Sequence, residues 1–192
     1  MNRFIAPLMA SVFAFTSPAI AQSAFQPSGE WAANYIGIQV GTRLDSALTF
    51  DALPGASFEL EGIIGGGHFG FRRQRDAFVY GAEIELLVSE PDLQGDSTRT
   101  TTSRIGGVFG YDVGRFLPYG TVGVGRMTFQ DTMGFGDTAS FGTFGGIGVL
   151  YDLGASTDIG LEALRENYPS FNEGANLGYS QTTLSVQFNI NF

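Results

Sequence analysis

Hydrophobic and polar residues alternate along the last part of the chain, from Gln181 to Phe192. In an extended strand, successive side chains point to opposite faces, so this segment has one apolar and one polar face. The apolar face carries Thr182, Leu184, Val186, Phe188, Ile190 and Phe192, and the polar face carries Thr183, Ser185, Gln187, Asn189 and Asn191. The pattern predicts a β-strand with one side in an apolar environment.

The same alternation recurs in seven earlier segments, each close to the ~9 to 11 residues that a tilted membrane strand needs. They are Trp31–Thr42, Phe58–Arg72, Phe78–Val88, Thr101–Tyr111, Leu117–Phe129, Phe141–Tyr151 and Thr157–Glu166. No segment after the N-terminus is apolar and long enough to span a bilayer as a helix. The sequence therefore predicts an all-β fold, an eight-stranded antiparallel up-and-down transmembrane β-barrel.

The connections between these segments alternate in length. Three are tight, at Arg73–Ala77, Asp112–Phe116 and Asp152–Ser156, and Gly114 and Gly154 supply residues suited to turns. Four are long, at Arg43–Ser57, Ser89–Thr100, Gln130–Ser140 and Asn167–Ser180. Short periplasmic turns and long external loops are typical of outer-membrane barrels, so we expect both chain ends on the periplasmic side.

The N-terminus has the pattern of an export signal. Arg3 precedes an apolar run, and Ala19-Ile20-Ala21 provides small residues for cleavage before Gln22. The run is too short for a membrane-spanning helix and contains Pro7. We expect residues 1–21 to be a cleaved signal peptide, 22–30 a short lead and 31–192 the barrel.

The composition of the chain excludes several classes of function. The chain of 192 residues has 43% hydrophobic and 15% charged residues, which excludes a disordered protein. It contains no Cys, so thiol catalysis and disulfides are excluded. A net charge of −9, with Arg as the only strongly basic residue type, argues against a nucleic-acid partner.

Several charged residues fall on the inward side of the predicted strands: His68, Glu83, Glu85, Arg104 and Glu162. Charges inside a membrane barrel need water or a partner. A plausible register places Glu85 opposite or diagonal to Arg104, and the tight turn after Arg72 brings His68 near Glu83. We expect these residues to form a structural polar network that fills the lumen.

The chain resembles the OmpA-type, opacity-like eight-stranded outer-membrane barrels from Tyr35 to Phe192. The resemblance rests on the order of Phe78–Glu83, Arg115–Tyr119, Gly146–Tyr151 and the final Phe192. It implies inward roles for Glu83 and Glu162, and it implies that Phe192 is part of the signal read by the barrel-insertion machinery. The chain departs from the family in lacking Lys and a following peptidoglycan-binding domain, so the resemblance does not imply anchoring to the cell wall.

Two other features of the sequence have a structural explanation that we favour over a binding or catalytic one. Gly65-Gly66-Gly67-His68-Phe69-Gly70 fits the dinucleotide fingerprint, but a strand follows it instead of a helix. His68 is the only His, and without Cys a metal site would need carboxylates alone. Outer-membrane lipid A deacylases use a His-x-Ser spacing, whereas Gly70 occupies that Ser position here. We therefore predict no catalytic, metal or cofactor site.

The function expected from the sequence is structural, or an interaction at the cell surface. The alternative is a narrow gated channel for small solutes, and a lipid-modifying enzyme is less favoured. A soluble lipocalin-type barrel would need an apolar interior, whereas Gln187 and Asn189 lie on the face opposite the apolar one. The expected partners are outer-membrane lipid and lipopolysaccharide, the insertion machinery, and loop ligands that the sequence does not identify.

Overall fold

The protein is a closed antiparallel barrel in this computed structural model, which describes residues 30–50, 57–58, 62–89, 92–93, 96–97, 99–130, 138–169 and 177–192. Its eight long strands are β1 (Ala33–Phe50), β2 (Ile63–Arg75), β3 (Phe78–Ser89), β4 (Arg99–Tyr111), β5 (Phe116–Gln130), β6 (Thr138–Gly154), β7 (Thr157–Tyr168) and β8 (Leu177–Asn191). The predicted fold class is confirmed.

Each long strand pairs with its neighbour in the chain, and β8 pairs back with β1. The closing ladder runs from Tyr35 opposite Asn191 to Phe50 opposite Leu177. Because the ladder closes, none of these eight strands presents an unpaired edge, as a sheet in a membrane requires.

The two faces of the barrel wall are inverted relative to a soluble protein. Outward side chains such as Ile38 and Ile147 are 67% and 71% exposed, whereas Asn189, which points inward, is 1% exposed. An exposed band of Ile, Val, Leu and Phe side chains is stable only against lipid. The face assignments predicted for the strands are confirmed.

Gly114 and Gly154 lie in tight turns, as predicted. Gly114 and Gly154 both have a φ of 80°, a conformation that residues with a Cβ adopt rarely. In each turn the residue two positions earlier, Asp112 or Asp152, accepts a 2.8 Å hydrogen bond from the glycine N–H through its carboxylate. Side chain and backbone thus fix these turns together.

The long-loop end of the barrel differs from the prediction. β1 continues past Thr42 to Phe50, so the predicted loop Arg43–Ser57 is wrong in its first half. A register shift between Arg43 and Asp45 bends β1 while its pairing with β8 continues. The sequence pattern did not predict this extension, because Arg43, Asp45 and Ser46 are polar and a strand that rises beyond the bilayer does not need a continuous apolar face.

The second strand also begins later than predicted. β2 starts at Ile63, whereas Phe58 belongs to a separate two-residue strand, Ser57–Phe58, that pairs with β1. Within the predicted loop Ser89–Thr100, the short strands Asp92–Leu93 and Asp96–Ser97 pair with each other. The predicted signal peptide, residues 1–21, lies outside the described residues.

Candidate functional site

The predicted network residues all belong to the inward face of the barrel. His68, Glu85, Arg104 and Glu162 are buried, with exposed fractions of 3 to 4%. Glu83 is partly buried. Buried charges are tolerated only when they are paired and hydrogen-bonded, so the partners of each side chain determine what the lumen can do.

Arg104 occupies the centre of the upper network. It lies directly across the β3–β4 ladder from Glu85, and its Nη2 donates to Glu85 Oε2. Its Nη1 lies 3.5 Å from Oε1 of Glu166 on β7. The predicted Glu85–Arg104 pair is therefore present, and the same guanidinium also reaches the opposite side of the barrel.

The upper network continues toward the long loops through neutral side chains. Gln181 donates to Glu166 through Nε2 and accepts a 2.8 Å hydrogen bond from Nε of Arg43 through Oε1. Tyr168 donates to Glu166 at 2.8 Å. Gln39 donates to Glu85 at 2.5 Å. Five contacts of the upper network link β1, β3, β4, β7 and β8, whereas the Tyr168–Glu166 hydrogen bond lies within β7.

A second network lies near the tight turns. Nη2 of Arg72 on β2 is 2.7 Å from Oδ2 of Asp158 on β7, and both side chains are almost fully buried. The Asp158 carboxylate also accepts hydrogen bonds from the side-chain amides of Asn189 at 2.6 Å and Asn191 at 2.9 Å. The rings of Tyr35 and Trp31 face the guanidinium of Arg72 at 4.4 and 5.6 Å.

His68 belongs to this lower network. Because a carboxylate only accepts hydrogen bonds, the amide nitrogen of Asn189 faces Asp158, and its Oδ1 faces Nε2 of His68 at 2.5 Å. Nε2 therefore carries the proton. His68 lies opposite Glu85 in the ladder, with Glu83 opposite Gly70, so Glu83 is a diagonal neighbour of His68 and not its hydrogen-bond partner.

The remaining two carboxylates are bonded to tyrosines. The hydroxyl of Tyr119 donates to Oε2 of Glu162 at 3.0 Å. Tyr35 forms a side-chain hydrogen bond with Glu83. Tyrosine rings bring bulk as well as a donor, so these pairs fill lumen space that a charged pair alone would leave to water.

An apolar layer covers the lumen at the tight-turn end. Trp31 precedes β1 and packs with Val79, Val108, Leu117, Tyr119 and Leu150. Its indole Nε1 donates to the carbonyl of Gly114 at 3.1 Å, and its backbone N–H donates to Gln74 at 3.0 Å. The residue predicted to begin the first strand instead folds beneath the barrel opening.

Three cavities inside the barrel are small. One beside Arg104 and Glu166 and one beside Glu83 and Tyr119 each have a volume of about 10 Å³, and one beside Trp31 has about 20 Å³. A single water needs about 10 to 15 Å³. A much larger depression of about 740 Å³ lies among exposed Ile38, Phe69 and Leu86 on the outer wall, where it faces lipid.

The sequence prediction missed several residues of these networks, among them the charged residues Arg72, Asp158 and Glu166. Their parity already placed them inward, since Arg72 shares a face with His68, and Asp158 and Glu166 share a face with Glu162. Parity identifies the face of a residue but not its partner on a distant strand. The described residues contain no group of three or more His, Asp and Glu placed to hold a metal ion.

Among the residues that the structure describes, no helix is both long enough and apolar enough to cross a bilayer. The closed antiparallel wall, apolar outside and polar inside, with tight turns at one end and long connections at the other, defines a transmembrane barrel of the outer-membrane class. Residues 8–192 match the outer membrane protein beta-barrel domain, and the chain belongs to that family. It is a protein of the cell outer membrane.

Solved structures of outer-membrane barrels are similar to this chain at low identity, and the first two below, with TM-scores above 0.5, share its fold. Neisserial surface protein A (NspA) aligns with a TM-score of 0.59 and 10% identity over 83% of this chain and 97% of that chain. The outer membrane enzyme PagL aligns with a TM-score of 0.51 and 14% identity over 80% and 97%. The N-terminal β-barrel domain of Pseudomonas aeruginosa OprF has a TM-score of 0.47 and 15% identity over 83% and 99%. No curated protein sequence matches significantly.

Proposed function

We propose that this protein is a closed, non-enzymatic barrel that serves the outer membrane as a structural element and as a rigid base for surface-exposed loops. The observation that carries the proposal is the contact set of Arg104, which joins Glu85 on β3 to Glu166 on β7. These strands lie on different sides of the barrel, so the pairs cross the lumen where a solute would have to pass.

The layers above and below Arg104 support a closed lumen. Met127, Phe144 and Leu164 are buried, the Phe144 ring lies 5.5 Å from the Arg104 guanidinium, and the Trp31 layer covers the tight-turn end. An eight-stranded barrel is just wide enough for its inward side chains to fill it. The cavities beside Arg104 and Glu83 admit about one water molecule each. Cavities of this size can hold a bound water, but they do not form a path for a solute.

The position of the only His argues against a His-dependent lipid hydrolase. His68 is buried in the lumen and bonded to Asn189, whereas a lipid ester would reach the outer wall. A nucleophile activated by His must lie within hydrogen-bond distance of it. In the His-x-Ser spacing of the lipid A deacylases the Ser comes two residues after the His, and here Gly70 occupies that position. PagL is called an outer membrane enzyme, but at 14% identity its likeness extends only to the fold.

Planar-bilayer recordings test the closed lumen. We expect purified wild-type protein to give no steady conductance, and Arg104→Ala to give brief openings because the central cation is removed. Arg165→Ala is the matched control, since Arg165 is half exposed outside the lumen. Large, stable wild-type currents would contradict the proposal and favour the gated channel. The surface role is tested separately by deleting each long loop and screening intact cells for lost binding.

A further inference from the structure

One region of the outer wall presents hydrogen-bond donors that form no ion pair with the acidic residues described by the structure. On the outward face of the β4–β5 hairpin, three successive cross-strand pairs stand above the apolar band: Ser103 with Arg126, Thr101 with Thr128, and Arg99 with Gln130. We call these six residues the β4–β5 donor patch. Below it, exposed Ile105 and Val124 mark the apolar band.

Arg126 is the anchor of this patch. Its side chain is exposed, and its guanidinium lies 5.9 Å from the ring centre of Phe141 on the neighbouring β6. The Phe141 ring is itself 75% exposed. An aromatic ring beneath a cation at the edge of an apolar band is the arrangement that suits a membrane interface. The stack places the guanidinium at the edge of the exposed apolar band.

Neither arginine of the patch is neutralised by an acidic side chain that the structure describes. In the described part of the chain, Arg99 and Arg126 form no ion pair, although the sequence holds 19 acidic against 10 basic residues. Arg165, at a comparable position on β7, differs. It lies 2.8 Å from Asp45 and donates to Thr182 and Ser180. Among the described residues, Arg165 is therefore paired with a carboxylate, and the two arginines of the donor patch are not.

We infer that the β4–β5 donor patch binds the phosphate groups of lipopolysaccharide. Guanidinium groups bind phosphate by charge-assisted, often bidentate hydrogen bonds, and the hydroxyls of Thr101 and Thr128 lie between the two arginines, whereas the Ser103 hydroxyl donates to the Arg126 carbonyl. The patch lies at the long-loop end of the barrel, which faces the outer leaflet, where lipopolysaccharide is the phosphorylated lipid. Arg99 lies four residues from Ser103, the partner of Arg126, so the two arginines stand about 13 Å apart along the strand. Two separate cations suit a lipid that carries more than one phosphate.

The experiment measures lipid binding to the full chain in detergent micelles by native mass spectrometry. The probes are lipid A with two phosphates, lipid A with one phosphate, phosphatidylglycerol and phosphatidylcholine. We expect the two-phosphate lipid A to bind most tightly to wild type. Arg126→Gln should weaken that binding roughly tenfold, and the double variant R99Q/R126Q further, because each lost cation removes a charge-assisted contact.

Arg165→Gln is the control, and it should bind within about twofold of wild type because its charge is already neutralised by Asp45. Arg126→Lys should lie between wild type and Arg126→Gln, since ammonium keeps the charge but loses the planar fork. Heat-modified gel mobility confirms that each variant is folded. If a variant does not fold, the inference is tested by comparing how tightly wild-type protein binds lipid A with one phosphate and lipid A with two phosphates.

Unchanged binding by the folded double variant would overturn the inference, as would equal binding of one-phosphate and two-phosphate lipid A by wild type. Equally tight binding of phosphatidylglycerol would overturn the assignment to lipopolysaccharide. These outcomes are independent of conductance, because the donor patch lies on the outer wall and the proposed closure lies in the lumen.

Discussion

Arg72 and Asp158 form a buried ion pair, 2.7 Å from Nη2 to Oδ2, between strands that are separated by β8 and β1 in the barrel. The contact joins residues 86 positions apart in the chain. It therefore exists only once the barrel is closed. A pair of this kind couples the stability of the lumen to the pairing of β8 with β1.

This coupling predicts a strong double-mutant effect. Asp158→Leu should lower the free energy of unfolding by about 3 to 5 kcal/mol, because it leaves the buried Arg72 charge unpaired. Adding Arg72→Met should restore most of that loss, since two apolar side chains leave no uncompensated charge. Urea unfolding in lipid vesicles, followed by the fluorescence of Trp31 beside Arg72, measures both variants. Additive losses would show that the two residues do not interact.

The upper network predicts a contrast between two arginines. Arg104→Ala should destabilise the barrel by about 3 to 5 kcal/mol, less where trapped water compensates, because Glu85 and Glu166 lose their cation. Arg165→Ala should cost about 0 to 1 kcal/mol, since the Arg165–Asp45 pair is 50 to 60% exposed. The same urea titration compares them. Equal losses would mean that the lumen pairs are as hydrated as the outer one.

Glycine packing against the lower network gives a third prediction. A Cβ at Gly37 would overlap Nε2 of His68 and Oδ1 of Asn189, so Gly37→Ala should break their hydrogen bond and lower stability by about 1 to 3 kcal/mol. A Cβ at Gly65 would lie 3.6 Å from the nearest atom, the carbonyl of Gln39. Gly65→Ala is therefore the control and should change stability little. The temperature at which half of the protein shifts from the folded to the unfolded band on a gel measures the stability of both variants. An unchanged midpoint for Gly37→Ala would contradict the tight packing.

The orientation of the barrel predicts which segments antibodies can reach. An epitope tag inserted between Asp92 and Gly95, within the long β3–β4 connection, should be labelled on intact cells. A tag beside Gly114, in a tight turn, should be labelled only after the outer membrane is permeabilised. Immunofluorescence before and after permeabilisation measures this. The reverse pattern would invert the assigned topology and would place the β4–β5 donor patch in the periplasmic leaflet.

The insertion role of Phe192 stays a prediction. The side chain is 69% exposed on the apolar face, and its backbone exchanges hydrogen bonds of 2.8 and 3.0 Å with Asn34. These contacts close the last ladder position between the final residue and β1. They explain a structural contribution to barrel closure, whereas recognition by the insertion machinery needs an assembly assay.

The sequence by itself determined the eight long strands, their faces and the alternation of short and long connections, but not the end of β1 or the start of β2. A period of two is a local property, so Ile38 and His68 could be assigned to opposite faces without knowing any partner. It also predicted the Glu85–Arg104 pair, because consecutive antiparallel strands bring same-face residues together.

Only the tertiary structure decided contacts that cross the lumen. Arg72 with Asp158, and Arg104 with Glu166, join strands that are not neighbours, so their meeting depends on the closed ladder and on the width of the barrel. The same holds for His68, whose diagonal neighbour Glu83 lay within local reach but whose partner is Asn189 on β8. Local alternation fixes the side of a strand on which a residue lies, whereas closure of the whole sheet brings distant residues into contact.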